Sequence, residues 1–324
     1  QLVTPAGGAS DPEADGLLAV GGIDYGRDDV RPTPPPALDP TLLVARPRSA
    51  PLDPDEARWG PLPGTAAEAD AIAALFRRGV GGPTETLSGP RATKGALRAA
   101  LPGKRYLHLA THGYFADPKY KSALAPTSEP TGLASFEGMS RAEAAGWYPG
   151  LLSGLVWAGA NAPPTDPATG ALDRGAGIMT AEEVAGLDLS ACELAVLSAC
   201  ETGLGRVAGG EGGLGLQRAF HQAGARHVVA SLWKVDDEAT RALMTRFYEH
   251  LWREKLSVPE ALRRAQLDLL EGRIAAPEAD SRTIGPRRPS AGQAAPAPAP
   301  GWAHPRLWAA WVLSGVPTGM ASAR

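Results

Sequence analysis

Cysteine is nearly absent from this chain: its 324 residues hold two, Cys192 and Cys200. Two thiols allow at most one bridge, which excludes a scaffold stapled by several disulfides. On extended backbone these two would lie about 26 Å apart, so even one bridge is awkward. Cys/His ligand spacing is missing as well, which argues against a structural zinc site. No apolar run approaches the ~20 residues that cross a bilayer as a helix. Charge of one sign is lacking too. Lys and Arg number 32 against 35 Asp and Glu, mixed along the chain, for a net charge of -3. That balance leaves no footprint for nucleic acid or an anionic membrane. The first residues, QLVTPAGGASDPEAD, have neither a basic region nor an apolar core, so they are not a signal peptide. They also lack an initiator methionine, as a fragment or a processed piece would. A reducing cytoplasm is the expected compartment.

Glycine and proline are in excess instead, at 39 and 31 residues, about twofold above typical usage. Long irregular loops follow, expected near 31–64, 115–150 and 272–302. Hydrophobic residues make up 44%, enough for a packed core.

Short apolar runs alternate with helical patterns, which predicts an α/β sheet layered with helices. Strand-like runs occur at Leu17–Ile23, Thr84–Leu87, Arg105–Ala110, Leu151–Ala158, Leu194–Ala199, Arg226–Leu232 and Leu307–Ser314. Helical periodicity marks Thr65–Arg78, Thr93–Leu101, Glu211–Ala223, Asp236–Trp252 and Val258–Leu270, with a helical turn from Thr180. Thr65 with Glu68, and Thr180 with Glu183, have the spacing of capping boxes. Residues 286–300, PRRPSAGQAAPAPAP, are of low complexity. The last apolar run returns to the sheet after that excursion, so one domain with insertions is expected.

Ligands of open α/β sheets sit beyond the carboxyl ends of the strands. Two predicted strands end there in reactive residues: ATHG brings His112 just past Ala110, and SACETG brings Cys200 just past Ala199. If those strands are parallel neighbours, both side chains leave the same edge. A thiol with the ordinary pKa of about 8.5 is only a few per cent thiolate near neutrality. A nearby imidazole can take its proton. Gly113 leaves its backbone N–H unshielded beside the histidine, and with the Cys200 N–H it forms a candidate oxyanion site. The competing reading of Cys200 is inert packing, which is also how Cys192 reads. His108 alternates with apolar neighbours and reads as a core residue. Spacing alone leaves Cys200 open between the two readings.

The segment Gly210–Gly215, GEGGLG, matches G-x-G-x-x-G, but about ten residues separate it from its strand. A dinucleotide fingerprint follows its strand directly, so this segment reads as a flexible loop beside Cys200.

The segments YLHLATHGYF, LLSGLVWAGAN, GIMTAEEVAGLDLSACELAVLSACETGLG, GEGGLGLQRAFHQAGARHVVASLWKVDDEAT and WAAWVLSG together resemble a CHAT domain. This is a caspase-like cysteine-peptidase family, in the clan of caspases, metacaspases and separases, often attached to tetratricopeptide repeats. The resemblance spans residues 17–317. Residues 1–16 would then be a linker from an upstream module, and 318–324 a tail. It implies a caspase-like three-layer sandwich, with a mainly parallel sheet flanked by helices, and a His112–Cys200 dyad that hydrolyses peptide bonds in protein substrates. It also implies that an extended peptide pairs with main-chain groups of Ser231, Leu232 and Trp233. The specificity pocket would draw on Asp24 and Tyr25. Asp24, with Asp236 and Asp237, would favour a basic residue before the cut. Against this, Asp236 is also placed to cap the following helix. No metal or organic cofactor is needed by this scheme. A regulatory module such as tetratricopeptide repeats is the expected partner. The competing function is a regulatory or scaffolding module that keeps the fold and cleaves nothing.

Overall fold

The computed structural model describes residues 16–26, 59–115, 149–161, 177–198, 212–233, 235–274 and 303–315. Cys200, the segment 27–58 and the low-complexity stretch 286–300 lie outside these residues.

The first described element is β1 (Gly16–Ile23), an apolar strand in which Leu17, Leu18, Ala19 and Val20 are all fully buried. A run apolar on both faces is what a central parallel strand requires. Helix α1 (Pro63–Gly79) follows, then β2 (Thr84–Gly89), α2 (Lys94–Ala100) and β3 (Lys104–Leu109). A short strand β4 (Gly113–Phe115), a 3-10 turn at Pro149–Leu151, β5 (Ser153–Val156) and β6 (Ile178–Thr180) come next. Then follow α3 (Ala181–Ala185), β7 (Leu194–Leu197), α4 (Gly212–Gln222) and β8 (His227–Ser231). Helix α5 (Asp237–Tyr248) continues through a π-helical turn at Glu249–Arg253. Helix α6 (Val258–Leu270), a short α7 (Pro305–Trp308) and β9 (Trp311–Gly315) complete the described elements.

Six strands form one sheet in the order β2-β1-β3-β7-β8-β9. All neighbours are parallel except β8 and β9. Alternation along each strand divides the core between the two faces. Leu18, Val20, Ala195, Leu197, Val228 and Ala230 pack with residues of α2, α3 and α4. Leu17, Ala19, Leu194, Val196 and Val229 pack with α1, α5 and α6 on the other side. Each fully buried Leu or Val among them contributes about 1.5–3 kcal/mol. The result is the expected α/β sandwich: helices, a mainly parallel sheet, helices.

The exit of β1 meets α1 at close quarters. A Cβ on Gly21 would fall 2.1 Å from the Thr65 carbonyl oxygen, and Gly22 has φ +60°. Both glycines let the strand turn under the helix.

Three local expectations change. Thr65 and Glu68 do not form a capping box, because Pro63 occupies the first helical position and Leu62 is the N-cap. Thr65 instead donates to the Leu62 carbonyl at 2.7 Å and accepts from Gly22 N–H at 2.9 Å. Glu68 faces the interior and is 2% exposed. The run Leu151–Ala158 contributes not to the main sheet but to a three-stranded antiparallel sheet, β4-β5-β6, that follows β3 directly. The Gly-rich segment is helical from Gly212 onward, in the first turns of α4, rather than a loop throughout. The second capping box is formed: Thr180 N–H donates to Glu183 Oε2 at 2.9 Å and Glu183 N–H donates to Thr180 Oγ1 at 3.2 Å.

Candidate active site

His112 leaves the carboxyl end of β3 and leads straight into β4. Its Nε2 is 2.7 Å from the Gly60 carbonyl oxygen. A carbonyl can only accept, so Nε2 carries the proton. In the neutral ring Nδ1 is then the basic atom. Tyr25 and Trp59 flank the imidazole, with ring centroids 5.0 and 5.4 Å away.

Beneath the histidine runs a buried hydroxyl chain. Thr111, fully buried, donates to the Val156 carbonyl. Its one proton is thereby used, so Tyr25, 3.0 Å away, donates to Thr111 Oγ1. Val156 N–H donates back to the His112 carbonyl at 3.0 Å. Burial pushes the Tyr25 hydroxyl up to about 12, partly opposed by its hydrogen bond with the His112 backbone. Tyr25 therefore remains a neutral phenol that supports the histidine from below. At 3% exposure its side chain presents almost no surface to a substrate.

Asp24 is exposed, and its Oδ1 accepts from Gly26 N–H at 3.0 Å. Gly159 N–H donates to the Asp24 carbonyl at 3.2 Å, tying the loop after β5 to the loop after β1. Antiparallel pairs alternate their hydrogen bonds. With the His112 carbonyl bonded to Val156, the N–H of Gly113 points away from β5.

The remaining candidates lie at the exit of β8. Ser231 is buried and paired with Trp311 of β9, and Leu232 N–H donates to the Ala310 carbonyl at 2.8 Å. The main-chain edge expected to take a peptide is thus filled by β9 as far as Leu232. Trp233 is half-buried, and its indole N–H donates to the Arg306 carbonyl at 2.8 Å. Asp236 caps α5, accepting from Glu238 N–H at 3.0 Å and Ala239 N–H at 3.1 Å. Asp237 is half-buried beside the first turn of α1, where a Cβ on Gly64 would lie 3.2 Å from its own.

The two cysteines do not stand alike. Cys192 is free, 2% exposed, and burial pushes its thiol up to about 12. It is packing, as its sequence context predicts. Cys200 follows Ser198 by two residues. The Ser198 hydroxyl donates to the buried Glu68 carboxylate at 2.8 Å, which anchors the exit of β7.

Four contributors to this site carried no assigned role in the sequence: Trp59, Gly60, Thr111 and Asn161. Gly60 acts through a carbonyl that any residue would offer, so nothing in its identity marks it. Thr111 and Asn161 each follow an apolar run as polar residues at a predicted strand exit, and that was the available signal.

The CHAT domain family matches residues 23–316, most of the chain. The chain belongs to the CHAT domain family. Among curated proteins, this CHAT domain is similar to tetratricopeptide repeat protein 28 of Mus musculus, 28% identical over 227 residues. That match covers 68% of the chain and 8% of the mouse protein, so the CHAT domain spans a small part of its relative's length. Among the described residues, no helix of the CHAT domain is long and apolar enough to cross a membrane.

Proposed function

We propose that this CHAT domain is a cysteine endopeptidase, with Cys200 as nucleophile and His112 as general base and acid. The observation that carries the proposal is the register of β3 against β7. Leu109 pairs with Leu197 in a parallel pair, and in sequence His112 and Cys200 each follow that pair by three residues. The basic atom Nδ1 of His112 takes the thiol proton, and the thiolate sulfur bonds to the peptide carbonyl carbon. The oxyanion accepts from the N–H groups of Gly113 and Cys200. Collapse of the intermediate breaks the C–N bond, and the imidazolium gives its proton to the leaving amine. Water, deprotonated by His112, then hydrolyses the thioester and restores the thiol.

Asp24, exposed at the exit of β1, supports a preference for a basic residue before the cut. Asp236 supports it less, because its carboxylate is engaged as a helix cap. A peptide pairing beside β8 would use main-chain groups from Trp233 onward, since Leu232 N–H is bonded within the sheet. Control by a repeat-containing module is supported by the likeness to a protein named for its tetratricopeptide repeats. A reducing compartment such as the cytoplasm suits a thiol nucleophile.

The test is a digest of a peptide library by the parent and by Cys200→Ala, each alone and with added tetratricopeptide-repeat protein. Cleavage by the parent and none by Cys200→Ala is expected. Equal products from both, or none from either under every condition, would sink the peptidase reading and leave a scaffolding module.

A further inference from the structure

Asn161 joins three separate stretches of chain around His112. Its side-chain Oδ1 accepts from Trp59 N–H at 2.9 Å, and its Nδ2 donates to the Trp59 carbonyl at 2.9 Å. Its own backbone N–H donates to the Tyr25 carbonyl at 2.7 Å. A primary amide that both donates to and accepts from the main chain of one residue imitates a strand pairing and fixes that residue's orientation. The next carbonyl along the chain is that of Gly60, the acceptor for His112 Nε2. Gly60 has no side chain to anchor it, and a Cβ there would meet nothing within 4 Å. The Trp59 main chain, which Asn161 holds, is the fixed point from which the Gly60 carbonyl reaches Nε2.

We propose that Asn161 is a positioning residue for His112. By clamping Trp59 it aims the Gly60 carbonyl at Nε2, holds the proton there, and keeps Nδ1 as the base. When Nδ1 takes a proton, the imidazolium retains its Nε2–H bond to that carbonyl, so the clamp also stabilises the charged ring. Without the amide, the carbonyl is free to turn, the two tautomers mix, and the imidazolium loses a partner. The catalytic consequence rests on the dyad proposed above, whereas the tautomer consequence does not.

The test reads the ring directly. Protein carrying 15N-labelled histidine is titrated by NMR, with the His112 signals assigned from their loss in His112→Gln. In the parent, Nε2 is expected to be the protonated nitrogen of the neutral ring. In Asn161→Ala the shifts should move towards the mixture of a free imidazole, and the His112 pKa should fall. Against a cleaved peptide, kcat should drop about tenfold to a hundredfold, with KM within about twofold of the parent. Asn161→Asp, which keeps the acceptor for Trp59 N–H and loses the donor, should lie between the two. It also decides the matter if Asn161→Ala fails to fold. An unchanged His112 tautomer and pKa in the folded variants would overturn the inference, whatever happens to the rate. If the parent cleaves nothing, the peptidase reading fails, and the NMR comparison still decides the role of Asn161.

Discussion

Glu68 and His108 face each other inside the protein, with Oε1 of the carboxylate 3.0 Å from Nε2 of the ring. The same oxygen accepts from the Ser198 hydroxyl at 2.8 Å, and His108 Nδ1 lies 3.2 Å from the Tyr248 hydroxyl. All four side chains are buried. Burial foremost, with the charge of Glu68 beside it, holds the Tyr248 hydroxyl well above the ordinary phenol range. The network ties α1, β3, the exit of β7 and α5 together across one face of the sheet.

Breaking it should be costly. Glu68→Ala orphans the His108 nitrogen and the Ser198 hydroxyl together. Each buried polar group left unpaired costs about 1–3 kcal/mol, so a loss of roughly 3 kcal/mol or more is expected. Ser198→Ala removes one donor while leaving the carboxylate its histidine, and should cost about 1 kcal/mol. Urea unfolding curves of the two variants and the parent measure both. Equal stabilities for Glu68→Ala and Ser198→Ala would show that the carboxylate does not organise the cluster.

His227 gives the fold a dependence on pH. His227 is 1% exposed, at the start of β8, and among the described residues neither ring nitrogen has a hydrogen-bond partner. Its pKa is lowered, first by burial, then by the nearby charges of Arg226 and His221, with Glu193 opposing. The unfolded chain takes up a proton at about pH 6.5, before the folded chain does. The unfolded state then binds more protons, so stability is complete above that value and falls as the pH drops below it. His227→Leu should flatten this loss between pH 7 and pH 5, measured as the shift of the urea midpoint. Asp268 acts in a separate window. Its hydrogen bonds to His250, Arg273 and Arg246 lower its pKa against the cost of burial. That contribution is lost only as the pH falls below the ordinary carboxylate range. An identical slope for parent and His227→Leu above pH 5 would rule His227 out.

The sheet was legible in the sequence because its central strands are buried on both faces. LLAV in β1 and LAVL in β7 are apolar at every position, and each parallel neighbour adds to the same reading. The site was legible only in part. His112 stood out as a histidine at a strand exit, and the strand beside it, β7, precedes Cys200 by three residues in sequence. Tyr25 belongs to the loop after β1 and is 3% exposed, with its hydroxyl bonded to Thr111. That burial depends on how deeply the loop after β1 packs under Thr111, which no local pattern encodes. The capping-box spacing of Thr65 and Glu68 misled for a similar reason. Spacing on a helix fixes the face a residue occupies, but the start of the helix decides whether that face is an end or a core. β9 was expected as a strand, yet its antiparallel pairing with β8 came only with the fold. That pairing occupies the outer edge of β8, with Leu232 N–H bonded to the Ala310 carbonyl.

Two glycines near the site should respond in opposite ways to a single added methyl group. At Gly21 a Cβ would fall 2.1 Å from the Thr65 carbonyl oxygen and 3.1 Å from the Ala69 side chain. A backbone oxygen inside a helix cannot step aside, so α1 must lift from β1. Gly21→Ala is therefore expected to cost about 3 kcal/mol or to prevent folding. At Gly60 the same methyl meets nothing within 4 Å. Gly60→Ala should leave stability within about 0.5 kcal/mol of the parent. Thermal unfolding of the two variants side by side makes the comparison. Comparable melting temperatures would mean that the contact between β1 and α1 is looser than its geometry requires, because the two substitutions differ only in what the new carbon meets.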